Sequence, residues 1–594
     1  MSYRRKKLLA LFCATALSMT AVAGCTGTKS STGNVVSSET ETNAEETSAQ
    51  SEAGTFSSAD MFTERDLAGT YEESGAVYVT LSDDGITGET DGVVIKGQTV
   101  TITAEGTYIF SGTLSEGQIV VDADNAKVQI VFDNVDITCA SSAAVYVKSA
   151  EKVFVTLAEG SQNTLRNTDE YVAIDDNNID AVIFAKSDLT LNGTGSLTII
   201  SAEGHGIVSK DDLKIIGGTY DITAAGHALS GKDSVRIADG TFILTAEKDG
   251  IHAENADDEE KGYIYIADGD FTITSDGDGM DASNIVQIED GTLDITAGGG
   301  AANSLKTHES DVPGGPGGGM PQNGEKLDGE SMPQMGEKPD GENMPQDTTT
   351  DESGTSTKGI KAGGGMYLNG GTYQIDSADD SIHSNANITI ADGTYTLATG
   401  DDGVHADDAL IVNGGTITVT ESYEGLEGLT VTINDGTIDI TASDDGINTA
   451  GEKMELNGGY IHILAGGDGV DSNGDLTING GEIYIDGPSD NGNSAIDYGD
   501  RSSAYVNGGT LVAIGSSGMA EGMSDSSKQK VLMVKLGEQM EAGNVVLTDS
   551  EGNVIVSYTA LKTYDCVIIS TAEVESGATY TLTTSGTTTE VTAE

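Results

Sequence analysis

Between about residue 213 and residue 515, apolar side chains recur in short alternating runs, each closed by a turn rich in Gly, Asp or Asn. Alternation with a period of two marks a strand with one buried face, and turns this frequent leave no room for helices of ordinary length. One element, loosely I-x-[DG]-G-T-[YFI]-x-I, repeats along the chain. Its second turn residue falls at Gly217, Asp239, Asp268, Asp290, Gly370, Asp392, Gly414, Asp435, Gly458, Gly480 and Gly508, a spacing of 22 residues give or take one, apart from three insertions.

Fixed offsets from this marker pick out the inward positions. Two before it runs a column from Ile215 to Val506, and three after it a column from Tyr220 through Tyr373 and Tyr395 to Leu511. Five after it lie Ile222 to Ile485; twelve after it lie Leu229, Ile251, Met280, Ala302, Ile382 and onward to Val470. Four unbroken apolar columns describe one continuous core, and three short strands per repeat describe one coil of a solenoid. The fold this predicts is all-β: a right-handed parallel β-helix of about 22 residues per coil, with a C-terminal β capping domain. A β-propeller repeat would be roughly twice as long.

The same pattern divides the chain. Residues 1–24 read as a lipoprotein signal peptide, with Arg4, Arg5, Lys6 and Lys7 ahead of an apolar run and Val22-Ala23-Gly24-Cys25 at its end. Cys25 is then the lipidated residue and the membrane anchor. Residues 25–58 carry too few large apolar side chains to fold and read as a tether. Residues 59–303 and 358–515 read as two parts of the solenoid, and 516–594 as the cap. Between the two parts, 304–357 holds six of the seven prolines and reads as a disordered insertion.

Charge narrows the function. Lys and Arg number 29 against 96 Asp and Glu, a net charge of −67, which disfavours nucleic acid and anionic membrane as partners and calls for cations. With the anchor, it places the protein outside the cell, attached to the membrane only through Cys25. Beyond Cys13 and Cys25 only Cys139 and Cys566 remain, too few and too far apart to imply a disulfide framework.

Ten residues after the marker runs a column of ligand-type side chains: His227, Asp249, Asp278, Gly300, Asp380, Asp402, Glu424, Asp445, Asp468 and Asp490. Three further on lie Ser230, His252, Asp281, Asn303, His383, His405, Glu427, Asn448, Asp471 and Asn493, and several coils add an acid directly before the first, at Asp379, Asp401 and Asp444. Unit charges stacked at strand spacing repel by about 0.9 kcal/mol even at the dielectric of water, so such a column needs counter-charge. Calcium, which takes six to eight oxygens from flexible carboxylates and carbonyls, suits Asp249, Asp278, Asp281, Asp379, Asp380, Asp401, Asp402, Asp444, Asp445, Asp468 and Asp471. Its role is either glue between coils or a bridge to a ligand, and the histidines either ligate or form a hydrogen-bonded stack. The column is expected to face outward.

At Asp401-Asp402-Gly403-Val404-His405-Ala406, and at its N-G-G-T and A-D-G-T turns, the chain resembles a secreted carbohydrate-binding β-helix family of anaerobic, plant-fibre-degrading bacteria. The resemblance extends over roughly residues 75–590, including the Met-Pro-rich insertion and the closing Ser-Gly-Ala-Thr-Tyr-Thr-Leu. It implies a fold similar to calcium-dependent pectate lyases, bound calcium, and a polysaccharide partner such as polygalacturonate or a cellulose-like glycan. A β-eliminating lyase would need a Lys or Arg base beside the acids, for which Lys248 and Lys453 are nearest in sequence; no catalytic residue is singled out. A third reading is a surface stalk that displays the insertion.

Overall fold

The computed structural model describes residues 55–306, 356–499 and 501–593. Cys25, the signal peptide, most of the tether and nearly all of the 304–357 insertion lie outside the described residues. What is described is nearly all-β: 44 strands join in one sheet, and the helices are two single turns, Ser58–Met61 and Glu64–Leu67, with a 3₁₀ turn at Ala301–Asn303. None is long and apolar enough to cross a membrane.

Most of the pairing is parallel and β-helix-like. Strand Thr219–Ala224 pairs with Thr241–Ala246, setting Tyr220 opposite Phe242 and Ile222 opposite Leu244. The same register runs on through Phe271, Leu293, Tyr373, Tyr395, Ile417, Ile438, Ile461, Ile483 and Leu511. These side chains are at most 2% exposed, and neighbouring rings stack, with Tyr373 and Tyr395 centroids 4.5 Å apart. A slip of one residue would have turned both tyrosines to solvent.

One core column departs from the spacing rule. The residue opposite Met280 is Ile360, not Ala302. Gly298, Gly299 and Gly300 all take positive φ, a left-handed run that carries the chain off the ladder into the 3₁₀ turn, and the ladder resumes after the insertion. The turn asparagines also have a task that periodicity did not show. Asn434, Asn457, Asn479 and Asn507 each donate through Nδ2 to the Oδ1 of the asparagine one rung earlier, at 2.7–2.8 Å, starting from Asn413. An asparagine ladder holds successive rungs together where no apolar side chain is available.

At the far end the pairing turns antiparallel: Thr510–Gly515 pairs with Tyr564–Ser570, which pairs with Leu532–Met540. A separate four-stranded antiparallel sheet comprises Gly543–Thr548, Val554–Ala560, Thr579–Thr584 and Thr587–Thr592. Cys139 and Cys566 are buried free thiols.

Before the first repeats, the Glu64–Leu67 turn is held by a capping box from Thr63, and its Asp66 is fully buried. Asp66 Oδ1 takes the Lys152 ammonium at 2.6 Å and the Thr190 hydroxyl at 2.8 Å. Burial alone would push this carboxyl up, but these donors and Thr63 outweigh it and hold the group at about 2, below its usual 3.8. A depressed carboxylate stabilises the fold fully above its unfolded pKa and loses that contribution as pH falls through the folded one, here between about 4 and about 2. Asp66→Asn should therefore cost about 2–3 kcal/mol near neutral pH, with the gap from the parent in denaturant unfolding closing as pH approaches 2.

Candidate functional site

The acidic column sits in the turn that follows each long strand, and the structure gives its two carboxylate oxygens different tasks. One oxygen stacks the rungs. Oδ1 of Asp249 accepts the backbone N–H of Asp278 at 2.9 Å, that of Asp278 accepts from Lys358 at 2.7 Å, and that of Asp380 from Asp402 at 3.1 Å. Asp402 accepts from Glu424 at 3.2 Å and Asp445 from Asp468 at 2.6 Å, and Asp468 continues the pattern to Ser494. Histidine can take the same place: His205 Nδ1 accepts the His227 N–H at 2.9 Å. The second oxygen faces the histidine three residues on at Asp249, Asp380 and Asp402, and a lysine of the next rung at Asp278, so the chemistry varies along the column.

Two spacing assignments change. The rung after Asp278 and Asp281 is completed by Lys358 and Lys361, not Gly300 and Asn303, and the last rung by Ser494 and Asp497, not Asp490 and Asn493. Insertions just ahead of each position shifted the count. The signal was in the sequence nonetheless: Lys358-Gly-Ile-Lys361-Ala is Asp249-Gly-Ile-His252-Ala with both polar positions made basic. The column faces outward only in part: Asp278, Asp379, Asp380, Asp401, Asp402 and Asp468 are each at most 9% exposed, while Asp249, Asp281, Asp444, Asp445 and Asp471 are half-buried and Asp490 is exposed.

In the middle of the column, lysines supply the counter-charge. Lys306 reaches Asp379 at 2.7 Å and also pairs with Asp401. Lys358 bridges Asp379 at 3.0 Å and Asp380 at 2.6 Å, and Lys361 stands 3.5 Å from both Asp278 and Asp281. Burial disfavours both ammonium groups, but the surrounding carboxylates outweigh it and push Lys306 and Lys358 up. Asp379, Asp380 and Asp401 come close enough to hold an ion, yet two protein cations already stand among them, so this donor set does not fit calcium. Lys248 is exposed and Lys453 pairs with Glu455 at 2.8 Å; neither enters the column.

Histidines face other carboxylates of the column. His383 Nδ1 lies 2.8 Å from Asp380 Oδ2, and His405 Nδ1 lies 3.0 Å from Asp402 Oδ2 and 2.9 Å from Glu427. Asp249 Oδ2 faces His227 and His252, at 3.0 and 3.1 Å.

The last stretch has no such partner. Asp445, Asp468 and Asp471 bring carboxylate oxygens within 4.8 Å of one another, with Asp444 and Asp497 alongside. Among the described residues no Lys, Arg or His pairs with them. Burial pushes Asp445 up to about 8, Asp468 to about 7 and Asp471 to about 6, and neighbouring acids push the same way. Gly467 makes room for this crowding, since a methyl group there would overlap carboxylate oxygens of both Asp444 and Asp445. A hard, all-oxygen, partly exposed donor set fits calcium.

Two stretches, residues 96–403 and 401–551, match the family described as carbohydrate-binding domain-containing protein. The chain belongs to that family. A family relative from Acetivibrio thermocellus, a carbohydrate-binding domain-containing protein, is 41% identical over 135 residues, 22% of this chain and 47% of the relative, so the match spans about half of that protein's length. A solved structure of the polysaccharide lyase-like protein from C. thermocellum, a gadolinium derivative, shares 35% identity, covering 38% of this chain and 92% of its own, at a TM-score of 0.36.

Proposed function

We propose that this protein is an extracellular polysaccharide-binding protein, anchored to the bacterial surface through Cys25, that recognises acidic plant or cell-wall polysaccharide through calcium held at Asp445, Asp468 and Asp471. Its frame is a right-handed parallel β-helix of about 22 residues per coil, the separation of paired residues such as Tyr373 and Tyr395, closed by a cap at residues 516–594. The observation that carries the proposal is the charge balance of the column: a lysine or histidine pairs with a carboxylate on each rung from Asp249 to Glu427, and only acids face one another from Asp444 onward. Bound there, calcium would offer open coordination positions to a uronate carboxylate and reverse the local sign that otherwise repels it. The residues around it hold the site in place, with Asp445 and Asp468 each fixed by a backbone N–H of the next rung.

A binding role is favoured over a lyase because Lys306, Lys358 and Lys361, the lysines beside the acids, are held in ion pairs rather than free to act as a base. The test is retention of the chain on immobilised polygalacturonate with calcium and with a chelator, alongside absorbance of unsaturated uronide products. Calcium-dependent retention without product is the expected result. Equal retention in chelator would remove the bridge, and product formation would make the protein a lyase.

A further inference from the structure

We propose that Lys562, a residue of the cap, is a second contact for the acidic polysaccharide, its ammonium taking the carboxylate of a uronate residue beyond the one held at the calcium cluster. The inference rests on the reading of that cluster as a uronate site and adds a side chain from outside the acidic column. Lys562 lies in the turn between strands Val554–Ala560 and Tyr564–Ser570. That turn is docked on the solenoid: the Leu561 N–H donates to Asp486 Oδ1 at 2.9 Å, and Ser489 Oγ donates to the Thr563 carbonyl at 2.9 Å. Lys562 Nζ itself donates to the carbonyl of Ala465, the last residue of strand Tyr460–Ala465. Asp468 follows three residues later, across a turn pinned by the Gly467 N–H on the Asp444 carbonyl at 2.8 Å. Three residues span at most about 10 Å, so one short run of sugars can reach both the ammonium and the carboxylate cluster.

Charge sets Lys562 apart from the lysines of the column, since Lys306, Lys358 and Lys361 are each held by carboxylates. Among the described residues, the hydrogen-bond partner of Lys562 is a backbone carbonyl. Asp486 nearby has both oxygens engaged, by the Leu561 N–H and the Tyr558 hydroxyl, and Asp490 Oδ1 accepts the Gly492 N–H at 2.7 Å. Burial lowers the Lys562 pKa, and these two acids oppose that only in part. A half-buried ammonium with N–H donors to spare, on a chain of net charge −67, fits an incoming carboxylate. The sheet face beside it changes character at the same rungs. Its first outward position is threonine at Thr372, Thr394, Thr416 and Thr437, then Tyr460, which is 42% exposed. Tyr460 lies 5.7 Å from Tyr484, which stacks on Tyr558 of the cap at 5.2 Å. With only a threonine opposite it on the preceding rung, the Tyr460 ring keeps one side open to the apolar face of a sugar. His462 on this face is tied to Asp439 at 2.8 Å, so Lys562 is the cation left for the ligand.

The full chain, saturated with calcium, would be titrated with polygalacturonate, and its calcium affinity measured separately without glycan. Lys562→Gln removes the charge but keeps a donor for the Ala465 carbonyl, so the cap stays docked. It should weaken polygalacturonate binding by about tenfold or more, the scale of one charge-assisted hydrogen bond, and leave calcium affinity unchanged. Lys562→Arg should retain most of the glycan affinity, and Tyr460→Ala should lower it without touching calcium binding. The two readings fail separately. Parent-like polygalacturonate affinity in folded Lys562→Gln, or equal losses in Lys562→Gln and Lys562→Arg, would overturn the Lys562 contact while calcium-dependent retention still stood. A loss in Lys562→Gln with parent-like binding in Asp445→Asn/Asp468→Asn would instead remove the calcium bridge and leave Lys562 as a glycan contact.

Discussion

The double substitution Asp445→Asn/Asp468→Asn is expected to abolish calcium-dependent retention on polygalacturonate while leaving the fold intact. Asparagine keeps an Oδ1, so the backbone N–H groups of Asp468 and Ser494 still find their acceptors and the rungs stay stacked. What disappears is charge, two of the three carboxylates that converge on the site. Calcium sites span dissociation constants from about 10⁻⁹ to 10⁻³ M largely through ligand charge and rigidity, so the loss should amount to about a hundredfold or more. Stability gives an independent readout. Asp445, Asp468 and Asp471, raised to about 8, 7 and 6, favour the fold while protonated. Groups raised in this way lose their contribution as pH climbs from the unfolded value through the folded one, so the parent in chelator should weaken between about pH 4 and pH 8. The double variant should show a shallower decline, and calcium should flatten the parent's. Parent-like affinity for polygalacturonate in the folded double variant would sink the bridging role.

The strand register was legible because it is repeated. A core column sampled in many repeats tolerates one ambiguous residue, which is why Tyr373 and Tyr395 could be assigned to the interior from the isoleucines that replace them elsewhere. The register failed where the chain leaves the ladder. Gly300, Asn303, Asp490 and Asn493 have the right count but not the right place, because counting assumes that an insertion lies after the site, whereas both begin before it. The Thr587–Thr592 strand carries almost no periodic signal for another reason: it is threonine-rich with almost no apolar alternation, and pairing with Thr579–Thr584 makes it a strand. For the site, sequence identified the carboxylates and the need for counter-charge but not who provides it. Lys306 near the start of the insertion and Lys358 just after its end are brought together only once the chain returns to the ladder, so charge repulsion alone pointed to calcium at rungs where lysines already stand.

Lys358→Met should therefore damage stability rather than glycan binding. The ammonium group is the direct partner of Asp380, whose side chain is 2% exposed, and it also reaches Asp379. Removing one member of a buried ion pair leaves a desolvated charge, which costs about 3–5 kcal/mol. Lys306 would still neutralise Asp379, but Asp380 would keep only His383 at 2.8 Å. In the parent, burial opposes the Asp380 charge, yet Lys358 and His383 outweigh it and hold that carboxyl well below its usual range. Without Lys358 its pKa must rise, and a raised carboxyl costs more stability as pH increases, so the deficit in urea unfolding should be largest at alkaline pH and shrink on acidification. Adding Asp380→Asn to Lys358→Met should recover much of the loss, because the asparagine still accepts the Asp402 N–H that the aspartate holds at 3.1 Å and leaves no charge behind. Polygalacturonate retention should be unchanged in the folded fraction of both variants, since Asp445, Asp468 and Asp471 are untouched. A Lys358→Met chain as stable as the parent at every pH would mean that this lysine is not the counter-charge of the central rungs, and would reopen Asp379, Asp380 and Asp401 as a metal site.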